Sequence, residues 1–311
     1  MSIGDNAFEG CSRMTSVTIP DSVTSIGTSA FYDCSSLKSV EIPDSVTSIG
    51  DNAFSNCARL KNVYITDMES WLNIDFENAY SNPLHTQANL YLNNVLVIDL
   101  LFPNEVTEIK DYVFYNYNRL TSIILPENII SVGNSAFAYC NSLTNVMMTN
   151  GVKSIGRSAF SSCKKLTSVT FANNMEYIGY GAFHDCYNIE NVYYGGTKEE
   201  FQNIEKGSDN SYLTNATIYY ECNIDGMPLY LSSGLTYEED YYKIMAETDV
   251  VLPGMEIFVA GYDEKGVMIA IKKAENNEAK FDRSLPVERF KVFAFYGDCQ
   301  PLAISKEVLV E

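Results

Sequence analysis

Histidine is nearly missing from this sequence: His85 and His184 are the only two in 311 residues. The side chain that most often moves protons at neutral pH is therefore scarce, which weighs against acid–base and His-assisted nucleophilic catalysis. No C-x-x-C pair occurs, so a zinc site has no ligand framework. No phosphate-cradling loop occurs either, since Gly195-Gly196-Thr197-Lys198 lacks the required spacing. Positive charge is short as well, with 21 Lys and Arg against 40 Asp and Glu and a net charge of −19. Nucleic acids and anionic membranes need a basic footprint, so neither is expected as a partner. No apolar run reaches the length of a membrane span. The first residues, Met1-Ser2-Ile3-Gly4, have no charged segment followed by an apolar one, so no signal peptide is read there.

One phrase is repeated where these features are absent. Its clearest copy is Ile26-Gly27-x-x-Ala30-Phe31-x-x-Cys34-x-x-Leu37-x-x-Val40-x-Ile42-Pro43, and its Phe recurs at 8, 31, 54, 114, 137, 160 and 183. The period is 23 residues, apart from one gap of 60 between Phe54 and Phe114. A fixed period in this range means a solenoid, because one unit cannot close a core and must stack on its neighbours. Leu-x-x-Val-x-Ile reads as a short strand with Val and Ile inward. Pro43 ends it, having no N–H to donate. Val46-x-x-Ile49 begins the return side, and Ala53-Phe54 is a tight turn that plugs the core.

Six of the eight cysteines (Cys11, Cys34, Cys57, Cys140, Cys163, Cys186) share one slot three residues after the Phe, and Tyr117 fills it in the remaining copy. They are expected to form a reduced, buried column, since Cys packs as a small hydrophobe and stacked thiols suit disulfide geometry poorly. A serine in that column would bury an unpartnered hydroxyl at about 1–3 kcal/mol. His184-Asp185-Cys186 looks like a nucleophile cluster. The positions before the Cys slot vary freely between copies, however, as a solvated surface does, so no catalytic residue is assigned. Glu238-Glu239-Asp240 has no EF-type spacing and reads as a solvated loop. No metal or cofactor is expected.

The motif I-G-x-x-A-F-x-x-C-x-x-L-x-x-V-x-I-P, carried almost whole at 26–43 and 3–20, resembles the BspA-like leucine-rich repeats of bacterial surface proteins. The resemblance covers about 1–221. It implies a right-handed leucine-rich repeat solenoid on a secreted or surface-anchored, extracellular protein, with non-enzymatic adhesion and protein binding as the usual role. The first unit has no cap over its core, which suits a piece of a longer secreted protein, although a cytoplasmic one would begin the same way.

The expected fold is mostly β: a solenoid over 1–221 and a β-sandwich over 222–311. Residues 67–99 read as an insertion, with Met68, Trp71 and Leu72 on one face of a short helix and a strand near Asn89–Leu92. The ladder restarts at Leu100–Thr107. Residues 196–221 repeat this pattern, with Phe201 for Trp71, and both copies read as caps over an exposed coil edge. Beyond 222 the period vanishes. Strands are predicted at Tyr242–Thr248, Met255–Tyr262, Gly266–Lys272 and Arg289–Tyr296, with a hairpin turn at Asp263–Gly266, and the segment weakly resembles immunoglobulin-like β-modules.

The outward position of each strand yields a candidate binding column. Tyr64, Leu101, Ile124 and Met147 form an apolar run between polar neighbours, and such a patch on a soluble protein usually marks an interaction site. The competing expectation is that the 67–99 segment folds over it. A tyrosine-rich region near the end cap (Tyr187, Tyr193, Tyr194, Tyr212, Tyr219, Tyr220) offers either an aromatic platform for a glycan or simple packing of the cap. A pure spacer role is a third reading.

Overall fold

The computed structural model describes residues 1–220 and, beyond them, the strand residues 231–237, 241–248, 255–262, 268–273, 278–282, 289–296 and 300–309. Two compact units divide at Tyr219/Tyr220.

In the first unit each coil supplies one strand to a front ladder and one to a return ladder, all in parallel. Ser16–Val17, Ser39–Glu41 and Asn62–Ile65 stack in the front ladder. Ser2–Ile3, Ser25–Ile26 and Ser48–Ile49 stack in the return one. A second pair of ladders begins at Glu108–Ile109 and Ser122–Leu125 and ends at Glu205–Lys206 and Thr217–Tyr219. Inward residues close the core as the strand pattern requires: Val40 and Ile42 are buried while Glu41 between them is exposed. The turns stack their phenylalanines face to face, with centroids 5.2–5.4 Å apart from Phe8 to Phe54 and again from Phe114 to Phe183. Offset stacking is a favoured aromatic geometry, so this column contributes beyond its buried area.

The cysteine column is more than a filler. Cys34, Cys57, Cys140, Cys163 and Cys186 are buried and free, and each thiol donates to a Phe carbonyl of the preceding coil at 3.0–3.3 Å. Burial pushes the thiols up, to about 11 at Cys34 and about 12 at Cys57 and Cys140. Cys11, in the first coil, is exposed. The unpartnered-hydroxyl cost expected for a serine here does not apply, because the carbonyl already waits for a donor.

The two segments read as insertions are themselves coils. Asp75–Phe76 continues the return ladder from Ser48–Ile49, and Asn89–Leu92 continues the front ladder in register from Asn62–Ile65. Glu205–Lys206 and Thr217–Tyr219 do the same at the far end. These coils are longer because each adds a helix. Asp67 caps Met68–Leu72 by accepting from Ser70 N–H at 2.7 Å, and Met68, Trp71 and Leu72 are its buried face. Thr197 and Glu200 form a reciprocal capping box on Lys198–Asn203, which buries Phe201.

The real interruption follows Leu92. Val95–Leu96 folds back antiparallel on Asn89–Leu92, and no strand pairing among the described residues crosses from there to the second array. Side chains span the gap instead. Asn82 Nδ2 donates to the Tyr112 and Val113 carbonyls at 2.8 and 2.9 Å, and Asn116 Nδ2 donates to His85 O at 2.7 Å. Arg119 Nε donates to Asn89 Oδ1 at 2.7 Å, and Lys110 pairs with Asp75 at 2.8 Å. Tyr117 explains its place in the cysteine slot here: its buried hydroxyl donates to Val97 O and lies 3.5 Å from Leu90 O. A thiol is too short for that reach.

The second unit holds two antiparallel sheets. Leu231–Tyr237, Tyr241–Thr248 and Glu278–Asp282 form one, and Met268–Lys273, Met255–Tyr262, Arg289–Tyr296 and Gln300–Leu309 the other, in these orders. Four of these strands overlap those predicted. The turn at Asp263–Gly266 and the Glu238–Asp240 loop lie outside the described residues.

Candidate recognition surface

The predicted front column is not continuous. The partner of Tyr64 in the ladder is Tyr91, not Leu101, and their rings stack at 5.1 Å. Leu101 lies in neither front ladder, because the longer coil takes the position that a 23-residue count gives to Leu101. Ile124 and Met147 are paired neighbours in the second ladder. Tyr64, Tyr91, Leu101 and Ile124 are half-buried, but Met147 is only 4% exposed. The four residues therefore do not make one exposed stripe.

A different feature stands out along the turn edge. Each 23-residue coil has two left-handed positions, two before and two after its Phe. Asn, Asp, Ser or Gly occupies twelve of these fourteen, as at Asn6, Gly10, Ser135 and Asp185. Only such residues take positive φ cheaply. The exceptions are Tyr112 at φ 61° and Tyr139 at φ 63°. The two rings flank Tyr115, at 6.3 Å from Tyr112 and 5.4 Å from Tyr139, both edge-to-face. Tyr80 stands on the adjoining long coil with its ring 5.4 Å from His85. Burial, and then the phenols of Tyr139, Tyr80 and Tyr112, push Tyr115 up to about 12. Tyr80 and Tyr139 are 51% and 43% exposed, so the cluster faces solvent. Burial holds His85 below its ordinary value, against the opposing pull of its Nδ1 contact to Asn82 O at 2.8 Å.

Sequence reasoning looked for aromatics at the end cap and missed this cluster. Aligning the left-handed slots across the copies would have found it. Of the end-cap group, Tyr194 packs against Phe201 and Tyr193 stacks on Tyr219, whereas Tyr187 is exposed. His184 and Asp185 approach within 3.6 Å on the surface, and Cys186 is buried with its thiol on Phe160 O, so the three do not converge. Among the described residues no group of three His, Cys, Asp or Glu could hold a metal, and no helix is long and apolar enough to cross a membrane.

Parallel coils stacked on Phe and Cys columns define a leucine-rich repeat solenoid. The BspA type leucine rich repeat region matches residues 1–95 and 85–206, in six copies. The chain belongs to this family. Similar solved structures include the leucine-rich repeat protein of T. pallidum, at 27% identity over 57% of this chain and 68% of that one, with a TM-score of 0.31. A leucine rich cell surface protein of Faecalibacterium prausnitzii is 20% identical over 66% and 85%, with a TM-score of 0.33. The pneumococcal vaccine antigen PcpA is 18% identical over 71% and 73%, with a TM-score of 0.40. No protein with a curated description matches.

Proposed function

We propose that this chain is a non-enzymatic recognition module of an extracellular, surface-exposed bacterial protein, and that its front face binds a protein partner in adhesion. The observation that carries this reading is the half-exposed Tyr64–Tyr91 stack on a rigid parallel ladder. Tyrosine supplies large contact area with few rotatable bonds, which suits it to anchor an interface. Ile124 and Leu101 extend the contact, and Met147 stands beside Ile124 as its neighbour in the ladder. Residues 222–311 act as a β-sandwich spacer of immunoglobulin-like type. Membership in the repeat family supports a recognition role rather than catalysis.

The test is adherence of beads coated with the full chain to cultured epithelial cells. Binding is expected to be lost when the cells are treated with trypsin and to survive periodate oxidation of their glycans. Tyr64→Ala and Ile124→Glu are each expected to reduce it about tenfold, roughly 1.4 kcal/mol of binding free energy, with melting temperature held. Binding that survives trypsin, or that both variants retain, defeats the reading.

A further inference from the structure

We propose that the turn-edge tyrosine cluster, Tyr80, Tyr112, Tyr115 and Tyr139 with His85, is a second binding site, separate from the front face, for a neutral oligosaccharide. The repeat supplies its own control. Fourteen equivalent left-handed slots share one backbone conformation, and only Tyr112 and Tyr139 depart from small polar residues or glycine. Both departures fall in the same exposed aromatic cluster. A bulky L-residue at positive φ is strained, and strain without structural gain points to a site. Neither ring is needed by the core: the Phe stack runs beneath them whether the slot holds Tyr112 or Ser135, Tyr139 or Ser162.

The chemistry of the cluster fits a sugar. Phenol rings offer apolar faces to the C–H side of a pyranose, and their hydroxyls can give and take hydrogen bonds. His85 joins the cluster through its ring beside Tyr80, with its Nδ1 committed to Asn82 O. The groups that act on Tyr115 at its centre are the phenols of Tyr139, Tyr80 and Tyr112, while Asp111 and Arg157 border the cluster at Tyr112. A neutral patch on a chain of net charge −19 favours a neutral ligand over an ionic one. The extent fits as well. The tyrosines come from three neighbouring coils, and at roughly 4.8 Å per coil the patch is about as long as a disaccharide. A protein interface needs about 800 Å² on each side, and flanking coils carry Ser55 and Ser161 where this one carries Tyr115. Proline-rich peptides favour aromatic-lined grooves, whereas these rings meet edge-to-face at 66° and 61°.

The full chain is to be screened on an array of neutral oligosaccharides (maltohexaose, cellohexaose, xylohexaose, mannohexaose and neutral mucin-type O-glycans), with sialylated glycans and a proline-rich decapeptide alongside. Hits are then titrated by calorimetry. Saturable binding of at least one neutral glycan is expected. Tyr112→Asn and Tyr139→Asn, which install the residue type other coils use, are expected to weaken it at least tenfold while the melting temperature stays or rises. Tyr80→Ala, at an exposed position, is expected to weaken it without loss of fold. Ile124→Glu on the front face is expected to leave it unchanged, which separates this site from the protein-binding reading. No neutral glycan bound at millimolar concentration, binding confined to sialylated glycans or the peptide, or binding that survives both Asn substitutions overturns the proposal.

Discussion

Tyr117 is expected to hold the two arrays together, and its removal can be weighed term by term. Its side chain is fully buried, and its hydroxyl donates to the Val97 carbonyl across a gap that no main-chain strand pairing among the described residues crosses. Tyr117→Phe keeps the ring and deletes one donor, so Val97 O is left buried without it. That loss costs about 1–3 kcal/mol. Tyr117→Cys restores the residue found at six other copies of this slot, yet it should be worse. It deletes the donor to Val97 O and the whole ring, and large-to-small changes of this kind cost roughly 3–5 kcal/mol. In a repeat protein, stability is close to a sum of coil terms and nearest-neighbour interfaces. A loss at one interface should therefore uncouple the arrays on either side. The only tryptophan, Trp71, is buried in the first array and reports its unfolding. In urea, the wild type is expected to show coincident fluorescence and circular dichroism transitions. Tyr117→Phe should lower the midpoint, and Tyr117→Cys should separate the two signals. If Tyr117→Cys unfolds at the wild-type midpoint with coincident signals, the hydroxyl does not hold the joint.

The buried thiols give three further expectations. Cys140→Ser keeps a donor for Phe114 O and should cost under about 1 kcal/mol, whereas Cys140→Ala should cost about 1–2 kcal/mol more; denaturant titration of both variants decides it. Among the six repeat cysteines, only Cys11 should react with a thiol reagent in the native state, as mass spectrometry of labelled peptides can read. Because the Cys34, Cys57 and Cys140 thiols sit at about 11 to 12 in the fold against an ordinary 9.0, their contribution is complete below pH 9 and is lost as pH rises from 9 towards 12; an alkaline melting series that stays flat there would contradict the burial argument. Asp75→Asn removes an exposed ion pair and should change the urea midpoint little, with any effect gone in high salt.

How far the sequence carried depended on whether a position repeats. Phe31, Cys34, Val40 and Ile42 recur on one period, so their columns, their burial and the direction of each strand were legible. The helix at Met68–Leu72 was legible too, from three apolar side chains on one face. The long coils were not. Where Phe54 stacks on the coil below it, the next coil offers Tyr80 and Ser81, so the marker used for counting disappears. The 60-residue gap thus reads as an insertion over 67–99 with a ladder resumed at Leu100, when it is one longer coil followed by a break. That error moved Leu101 into a strand position held by Tyr91. Tyr117 was noticed as an exception but not explained, because its reason is a carbonyl 20 residues upstream in the irregular stretch. The strained tyrosines were visible in principle, since Asn6, Asn52, Ser135 and Gly181 mark a slot for positive φ and Tyr112 violates it.

The paired residues Ile124 and Met147 test how the front ladder should be read. They are ladder neighbours on the same face of the sheet. By alternation alone both point outward, and a charge at either should be equally harmless. Their surroundings differ: Met147 is 4% exposed, while Ile124 is half-buried. A carboxylate at 147 would have to be desolvated among apolar neighbours, and a buried unpaired charge costs several kcal/mol or forces the chain open to water. One at 124 can turn toward solvent, so it forfeits only part of an isoleucine's burial, about 1 kcal/mol. Met147→Glu is therefore expected to lower the urea midpoint severely and Ile124→Glu only slightly, with Met147→Leu near neutral because volume is conserved. Equal and small effects at both positions would mean that Met147 is open to water and that the burial argument fails there. A large loss at 147 alone shows that Met147 is part of the core and that Ile124 is the exposed member of the pair.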